Sequence, residues 1–467
     1  MAVAVGMGFT VVLTEDGSVC TFGQNNVGQL GVGHSRPMCG PTILDNLQNF
    51  GGQDVVMVAA SYKNSACVSA DGAVWTWGDN SCGQLGRDGH IPFSHTPGRL
   101  DPVLFGRSPA QMVSCGPCYI LILNSLGEVW ACGLNYCGQL GLGHQNNEGV
   151  FMRINPDCFG GTPVTMIACG WFHSIALVRG GRELFAWGWN NFGPLGVGVG
   201  ISASTDLHDP IRCAHYWVPT RSNTAAALGE AKIVFISAGN DLTMVVSDSG
   251  DLWGCGNGRH NALGLGDDAV HLQFQRVGGE TRFGSGGVRM VSCGNQYSLI
   301  VGKNGSVWSC GSGSYGALGT EMMSSDGVRQ RDNAQPILLN RAMLCDSNVV
   351  VVAAGQHSVA ATAHGRLCLW GNCHGATPAG TPPVTRWMPT ALCIQRLHGA
   401  RIGRWHDAPA EMQLAFAMCT HDELTVVGGR TALCGIKEDL LRHLCDRMRF
   451  APREGASQAL RHLLGIL

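Results

Sequence analysis

Two cysteines in one short segment have the spacing of a thiol redox site. Cys115 and Cys118 enclose Gly116 and Pro117 in the tetrapeptide Cys-Gly-Pro-Cys, and a Cys-x-x-Cys pair is the motif of thioredoxin-type oxidoreductases. Such a site needs the N-terminus of a helix to lower the pKa of its thiol. Here the flanking runs MVSC and YILIL are short and apolar, which predicts strands instead. The redox interpretation therefore depends on the elements that hold the pair.

Two other patterns could bind a ligand. His208, Cys213 and His215 suggest zinc, but the spacing lacks a second pair of ligands. The glycine-rich run 196–200 is followed neither by a helix nor by the lysine of a phosphate-binding loop. No nucleophile and base stand together in the sequence, although a catalytic triad would be assembled in space rather than along the chain. We expect no metal, no cofactor and no catalytic residue, and hence a binding protein rather than an enzyme.

The composition is that of a turn-rich β-protein. Glycine contributes 67 of 467 residues, charged residues contribute 14% and hydrophobic residues 45%, whereas glycine usually makes up ~7% of a chain. The net charge of −2 implies no polyanion-binding surface, so nucleic acid is not an expected partner. No apolar run reaches the ~18 residues of a membrane helix. The 21 cysteines, in a chain without a secretory signal, are expected to stay reduced, in the cytoplasm or the nucleus.

One motif recurs along the chain at a regular interval. It is clearest in FGQNNVGQLGVG from Phe22, WGDNSCGQLG from Trp77, CGLNYCGQLGLG from Cys132 and WGWNNFGPLGVG from Trp187, and weaker copies start at Cys255, Cys310 and Trp370. The second position of each copy is a glycine, and these are Gly23, Gly78, Gly133, Gly188, Gly256, Gly311 and Gly371. The number of residues between successive motif glycines is the same in four of the six intervals, and the interval after Gly188 is the longest. The chain therefore contains seven repeats.

Each repeat has the pattern of a small antiparallel sheet. An apolar run ends at a small residue and usually a glycine, and two further apolar runs follow, separated by turns such as Asp-Gly and Asn-Gly. The glycines of the motif, Gly83 among them, are predicted to adopt positive φ at tight turns. Units of about 55 residues have the size of a propeller blade. We predict an all-β fold, a seven-bladed β-propeller over residues 1–428, with a blade insertion at about 197–230.

The repeat also answers the question about the cysteine pair. Cys115 occupies the small-residue position and Gly116 the repeat glycine, so half of the tetrapeptide belongs to the framework of the blade. Only Pro117 and Cys118 are particular to this repeat, and Cys118 is interpreted as an incidental loop cysteine. A further set of cysteines fills the position that holds an aromatic residue in other repeats, and is interpreted as small buried apolar residues: Cys132, Cys255 and Cys310.

The repeat resembles that of the regulator-of-chromosome-condensation (RCC1-type) family. GAVWTWGDNSCGQLG at 72–86 and MIACGWFHSIAL at 166–177 carry the likeness best. The resemblance implies a seven-bladed propeller, a fold that does not fix one function. Members of the family include a nucleotide-exchange factor for a small nuclear GTPase, a plant ultraviolet-B receptor, parts of ubiquitin ligases and bacterial enzyme inhibitors.

The residues at the family's functional positions agree with some of these functions better than with others. His173 and His357 hold the histidine position of the family repeat, whereas the other repeats have lost it. The ultraviolet receptor depends on tryptophans that recur on successive blades, and here only Trp171 stands at such a position, beside Met7, Tyr62, Pro117, Asn240, Asn295 and Gln356. We predict a monomeric interaction scaffold that binds protein partners through its loop faces. The predicted partner-binding residues are Trp171, His173, Trp189 and His357; the alternative is a guanine-nucleotide exchange factor for a Ran-like small GTPase.

The C-terminal segment changes character. Residues 436–448 place Ile436, Leu440, Leu444 and Met448 at regular steps of one helical turn, which predicts an amphipathic helix, so that 429–467 is predicted to be a short helical tail. Two roles stay open for it, packing against the propeller or binding a partner. The run 412–427 resembles the strand of the repeat that carries histidine and serine, so both ends of the chain offer that strand and either could close the ring.

Overall fold

The chain forms seven four-stranded antiparallel sheets that follow one another in sequence around a central channel. The computed structural model describes residues 1–87, 91–198, 215–279, 282–284, 286–320 and 332–372, and beyond them the backbone of 385–393, 426–427 and 430–431. In every sheet the four strands are consecutive in the chain and pair only with their sequence neighbours. The predicted seven-bladed β-propeller is confirmed.

The strands of each blade run from the channel to the outer edge in chain order. Blades 1 to 3 consist of β1 Ala2–Val5, β2 Phe9–Leu13, β3 Val19–Gly23 and β4 Met38–Leu44; β5 Val55–Ser61, β6 Asn64–Ser69, β7 Val74–Asp79 and β8 Phe93–Arg99; and β9 Ala110–Cys115, β10 Tyr119–Asn124, β11 Val129–Gly133 and β12 Glu148–Arg153. Blades 4 and 5 consist of β13 Val164–Cys169, β14 His173–Val178, β15 Leu184–Trp189 and β16 His215–Arg221; and β17 Ile233–Ala238, β18 Leu242–Ser247, β19 Leu252–Asn257 and β20 Val270–Arg276. Blades 6 and 7 consist of β21 Val288–Cys293, β22 Tyr297–Gly302, β23 Val307–Ser312 and β24 Asp332–Leu338; and β25 Val349–Ala354, β26 His357–Thr362, β27 Arg366–Asn372 and β28 Thr385–Cys393.

Helices in the described part of the chain are short. The α-helices are α1 Asn46–Asn49 and α2 Thr224–Leu228, and 3-10 turns lie at Pro102–Phe105, Pro156–Phe159, Arg259–Asn261, Ser314–Gly316 and Arg341–Leu344. Asp45 caps α1 by accepting bonds from two of its first backbone N–H groups. Across these described segments, no helix is both long and apolar enough to cross a membrane.

The core lies between the blades. The second strand of each blade is buried along its whole length, because its two sides pack against the preceding and following blades. The largest fully buried side chains include Trp77, Trp187 and Trp370, all at the aromatic position of the motif. Burial of such side chains contributes roughly 1.5–3 kcal/mol each, and it explains why apolar runs recur in every repeat.

The first motif glycine marks a bulge in every blade. In blade 3 the pairing of β11 with β12 shifts between Ala131 and Gly133, and Gly133 has φ 107°. The corresponding shift recurs in the other six blades. A glycine with positive φ is the usual way to build such a bulge. The turn glycine Gly83 also has positive φ, 78°, as predicted.

The ring closes between blade 7 and blade 1 without an exchange of strands. The N-terminal residues form β1, the inner strand of blade 1. Apolar residues of blade 1 and blade 7 form one buried cluster, which includes Val5, Val12, Val359 and Leu367. The N-terminus therefore supplies the strand that sequence reasoning left open. The competing run 412–427 lies outside the described residues except for Val426–Val427.

The structure describes only part of two predicted regions, the blade insertion and the C-terminal tail. Residues 215–230 of the predicted insertion form regular blade elements, β16 and α2, because a lengthened interval between two repeat glycines gives the size of an insertion but not its place. Residues 199–214, with His208 and Cys213, lie outside the described part. So does the predicted helical tail, apart from a small hairpin of β29 Val426–Val427 and β30 Arg430–Thr431 that spans the predicted boundary at 428.

Candidate partner-binding face

The two ends of the propeller carry different loops. Because consecutive strands are antiparallel, the turn after the first strand and the long loop after the third strand emerge at the same end of each blade. We call this end the loop face. The turns between the second and third strands and the connections from blade to blade form the opposite end, the hairpin face. The repeated Asn-x-x-Gly-Gln-Leu-Gly motif lies on the loop face.

Motif residues fix the shape of each long loop. In blade 2 the Asn80 side chain accepts a bond from the N–H of Leu85 at 2.9 Å and donates to the carbonyl of Ile91 at 2.8 Å. The same asparagine-to-leucine bond forms in the other three clear copies, at 3.0, 2.9 and 3.2 Å. The leucine is buried in each case. The motif therefore makes a rigid platform on which the remaining loop residues are displayed.

The same loops join neighbouring blades. The indole N–H of Trp77 donates to the carbonyl of Gln29 in the preceding blade at 2.9 Å, and Trp187 donates to Gln139 at 2.8 Å. Cys132, at the aromatic position of blade 3, points its thiol at the equivalent carbonyl of Gln84 at 3.2 Å. The predicted burial of Cys132, Cys255 and Cys310 is confirmed, and Cys132 in addition acts as a donor.

His173 and His357 lie inside the junctions between blades. His173 Nε2 is 3.0 Å from Thr243 Oγ1 of blade 5, and His357 Nε2 is 2.8 Å from Thr10 Oγ1 of blade 1. Both side chains are buried. Burial lowers the pKa of His173 to about 3, so this imidazole is neutral at physiological pH. These two residues can affect a partner only through the loops that they hold in place.

In two of the repeats that lack the histidine, a tyrosine at the same position bonds to the neighbouring blade. The Tyr119 hydroxyl donates to the carbonyl of His173 at 2.6 Å and lies 3.2 Å from Ser174 Oγ. Tyr297 repeats this arrangement with His357 and Ser358, at 3.0 and 2.8 Å. Sequence reasoning treated these positions as a lost histidine ring. It missed their role because the partner of each tyrosine lies in the next blade, a full repeat away along the chain.

The mouth of the central channel divides into an apolar arc and an amide arc. The channel is a cavity of about 340 Å³. Met7, Tyr62 and Trp171 line its mouth on one side, and Asn240, Asn295 and Gln356 on the other. Asn240 donates to Asn295 at 3.3 Å. Trp171 is thus a single tryptophan at the channel mouth and does not form part of a ring of indoles.

Aromatic side chains cluster on the loop face of blades 3 and 4. The Phe172 ring lies 5.3 Å from Tyr136 and 6.0 Å from Trp171, measured between centroids. Trp217 packs over the loop that carries Tyr136, since a Cβ on Gly138 would lie 2.7 Å from its indole Cδ1. The Trp189 ring lies against the ring of His215, with 5.1 Å between centroids and a tilt of 39°. His215 is on the same strand as Trp217. We call Tyr136, Trp171, Phe172, Trp189 and Trp217 the aromatic sector.

The aromatic sector is accessible to a partner. Tyr136 and Trp217 are 47% and 44% exposed, and Trp171 and Trp189 are half-buried. Two of the four predicted residues, Trp171 and Trp189, therefore lie in the sector, whereas Tyr136, Phe172 and Trp217 were missed. Tyr136 stands immediately after the motif asparagine, where no other repeat has phenylalanine, tyrosine or tryptophan. That difference between repeats was the available signal.

A second sector of the loop face, on blades 5 and 6, carries charge. His260 Nδ1 lies 3.1 Å from Asp332, and His271 Nε2 lies 2.9 Å from Asp267. Burial raises the pKa of Asp241 to about 6, against the lowering effect of Asn257 and Arg259. We call Asp241, Arg259, His260, Asp267, His271 and Asp332 the charged sector. It contains both signs of charge.

These features belong to a recognisable class of propeller. The family described as "RCC1-like domain" matches residues 41–408, and the chain therefore belongs to the RCC1-like domain family. It is similar to the Ultraviolet-B receptor UVR8 of Arabidopsis thaliana, 28% identical over 373 residues that cover 79% of this chain and 76% of UVR8. It is also similar to the E3 ubiquitin-protein ligase HERC2 of Homo sapiens, 27% identical over 400 residues that cover 85% of this chain but 8% of HERC2. Among solved structures it is similar to Prp20p of Saccharomyces cerevisiae, which is described with its binding to Gsp1p and histones: the TM-score is 0.59, the identity 25%, and the match covers 76% of this chain and 80% of Prp20p.

Proposed function

We propose that this protein is an interaction scaffold that binds a partner protein through the aromatic sector of its loop face. The observation that carries the proposal is the convergence of exposed or half-exposed aromatic side chains from separate loops and strands of blades 3 and 4. Tryptophan and tyrosine are the residues most enriched at the energetic centres of protein interfaces. Their rings contribute a large contact area and lose little conformational entropy on binding.

The framework beneath the sector supports this role. The Tyr119 hydroxyl donates to the carbonyl of His173 and so joins the two blades that carry the sector, whereas the His173 side chain joins blade 4 to blade 5. Asn135 fixes the loop of Tyr136. A rigid platform reduces the entropy that is lost when a partner binds. His173 is therefore proposed as a positioning residue, and Trp171 and Trp189 as direct contacts; His357 is proposed to stabilise the junction of blades 7 and 1, away from the sector.

A second candidate function is guanine-nucleotide exchange on a small GTPase. The charged sector favours it, because the family resemblance implies acidic and histidine residues on one propeller face for this activity. Similarity to Prp20p, described with its binding to Gsp1p, supports it further. An exchange factor binds most tightly to the GTPase that has lost its nucleotide, so the two candidates respond differently to Mg²⁺ and GTP.

Affinity capture in two nucleotide conditions separates the candidates. Purified protein is incubated with lysate in EDTA, and again with excess GTP and Mg²⁺, and bound proteins are identified by mass spectrometry. The Trp217→Ala/Tyr136→Ala variant tests the sector, and Leu338→Ala, which removes a 55% exposed apolar side chain at the opposite end of a blade, is the matched control. Partners retained in both conditions, lost with the double variant and kept with the control support the scaffold. A small GTPase enriched only in EDTA supports exchange.

A further inference from the structure

Two thiols meet on the hairpin face, where blade 6 leads into blade 7. Cys345 follows the 3-10 turn Arg341–Leu344 in the connection between the two blades, and Cys368 lies in β27. Their sulfur atoms are 3.9 Å apart, and neither cysteine is in a disulfide. Within the described part of the chain, no group of three His, Cys, Asp or Glu side chains is placed to bind a metal ion. The two thiols therefore form an isolated pair.

Cys345 stands at a position where glycine is the rule in this chain. Each of the other five connections between blades has a glycine with positive φ four residues before the first strand of the next blade: Gly51, Gly106, Gly160, Gly229 and Gly284. Cys345 lies four residues before β25 and has φ 59°. A residue with a Cβ is disfavoured in this conformation. The turn itself therefore does not explain the cysteine.

Cys368 also differs from its counterparts in other blades. The equivalent residue of the third strand is a tryptophan in blades 2, 3, 5 and 6. A Cβ on Gly106 would lie 3.2 Å from Cζ2 of Trp130, and a Cβ on Gly51 would lie 3.9 Å from Cζ2 of Trp75. In blades 2 and 3 a glycine of the connection thus lies beside an indole, whereas in blade 7 both members of this contact are cysteines.

The surrounding bonds hold the connection against the blade. The N–H of Cys345 donates to the carbonyl of Ala342 at 3.2 Å. Ser347 Oγ lies 2.7 Å from Nδ1 of His364, which is in the turn before β27. The sulfur atoms of a disulfide are about 2.05 Å apart, so the two sulfurs would have to approach by roughly 2 Å in total. Small rotations of the two side chains cover that distance.

We propose that Cys345 and Cys368 are a modification site, at which a small-molecule disulfide oxidises them to a reversible disulfide that ties the connection to β27. The Cys345 thiolate attacks one sulfur of the small disulfide, whose S–S bond breaks, and the first small thiolate leaves and takes up the proton that Cys345 lost. The sulfur of Cys368 then attacks the sulfur of Cys345, and the second small thiolate leaves with the proton of Cys368. Two protein thiols lose two electrons in total, and the small disulfide gains them. This inference does not rest on the proposed function.

The exposure of the two thiols agrees with this order of events. Cys345 is partly exposed, whereas Cys368 is buried. Burial raises the pKa of Cys368 to about 12, and a buried, protonated thiol reacts poorly with a reagent in solution. A reagent therefore meets Cys345 first, and Cys368 is the resolving thiol because its sulfur already lies beside that of Cys345.

The test is disulfide mapping of the full-length protein after incubation with excess oxidised glutathione. We expect a Cys345–Cys368 link that dithiothreitol removes. In Cys368→Ala, we expect Cys345 to keep glutathione as a mixed disulfide. Cys20 is the internal control, because it is buried at the position of blade 1 that corresponds to Cys368, and it should stay reduced. A wild-type protein in which Cys345 keeps glutathione, or in which both thiols stay reduced, would overturn the proposal.

Thermal unfolding provides a second measurement. The link would join residues 23 positions apart and so restrict the unfolded chain, which should raise the melting temperature of the wild type by a few degrees. Cys345→Gly restores the residue that the other connections use, suits the positive φ and should show no rise on oxidation. Cys20→Ala should respond to oxidation as the wild type does. Equal rises in the wild type and in Cys345→Gly would show that other cysteines are responsible.

Discussion

The blade junctions and the aromatic sector lie side by side, yet they follow different rules. At the junctions the same contact recurs around the ring: His173 with Thr243, His357 with Thr10, and Tyr119 with Ser174. On blades 5 and 6 the contacts described on the equivalent surface are between charged side chains and histidines. Residues that repeat thus assemble the propeller, whereas residues that break the repeat distinguish one part of its surface from another.

This difference changes how the motif should be interpreted. A histidine, tryptophan or cysteine at a repeated position invites a functional explanation, but His173, Trp77 and Cys132 are all buried at the junctions and bonded to the neighbouring blade. The exposed aromatic residues Tyr136 and Trp217 occupy positions that the motif leaves free. The predictions below separate the two groups, since junction variants should alter stability and sector variants should alter binding.

The largest effect is expected at a turn of the framework. In Gly83→Val, a β-branched residue would have to adopt φ 78°, and its Cβ would lie 2.6 Å from the Cα of Gly149 in the next blade. We expect the free energy of unfolding to fall by about 3 kcal/mol or more. Gly33→Val is the matched control, because Gly33 has φ 85° but open space around a Cβ. Denaturant titration should show a smaller loss for it, and a wild-type midpoint for Gly83→Val would contradict the turn assignment.

A pair of tyrosine variants compares the two regions with one chemical change. Tyr119→Phe removes a buried hydroxyl that bonds to His173 and Ser174, and should lower the free energy of unfolding by about 1–3 kcal/mol. Tyr136→Phe makes the same change on the surface and should cost at most about 0.5 kcal/mol. Similar unfolding curves for the two variants would remove the distinction between junction and sector.

A tryptophan variant tests the sector alone. Trp217→Ala removes an indole that is 44% exposed, and should weaken partner binding about 10-fold, or roughly 1.4 kcal/mol. The melting temperature should change little in comparison with Tyr119→Phe. Titration calorimetry with the captured partner gives the affinity, and Leu338→Ala serves as the control. If both variants bind as the wild type does, the sector is not the contact.

The smallest effect concerns pH in the charged sector. The pKa of Asp241 is raised from its ordinary value to about 6, so the folded state binds this proton more tightly than the unfolded state. Its contribution to stability is therefore greatest below pH 4 and is lost as pH rises to about 6. Asp241→Asn should match the wild type near pH 4 and exceed its stability by about 1 kcal/mol at pH 7, after allowance for solvent screening. Parallel stability curves for the two proteins would contradict the raised pKa.

Much of the fold could be predicted from the sequence, because the same pattern of strands and turns occurs in all seven repeats. The regular interval between motif glycines, the turn at Gly83 and the burial of Cys132 all follow from comparing one repeat with the next. The bonds of Tyr119 to His173 and Ser174 did not follow, because they join residues of different blades. Trp217 escaped notice for another reason: it lies within the predicted insertion, part of which is an ordinary outer strand in the structure.

The central claim is that a partner protein docks on the loop face at the aromatic sector, and site-directed photo-crosslinking tests it most directly. A benzophenone amino acid is placed at Tyr136, at Trp217 or, on the hairpin face, at Val103, which is 54% exposed. After irradiation in lysate, crosslinked proteins are identified by mass spectrometry. We predict a shared partner at Tyr136 and Trp217 that is missing at Val103. A partner that crosslinks from Val103 and from neither aromatic position would contradict the claim.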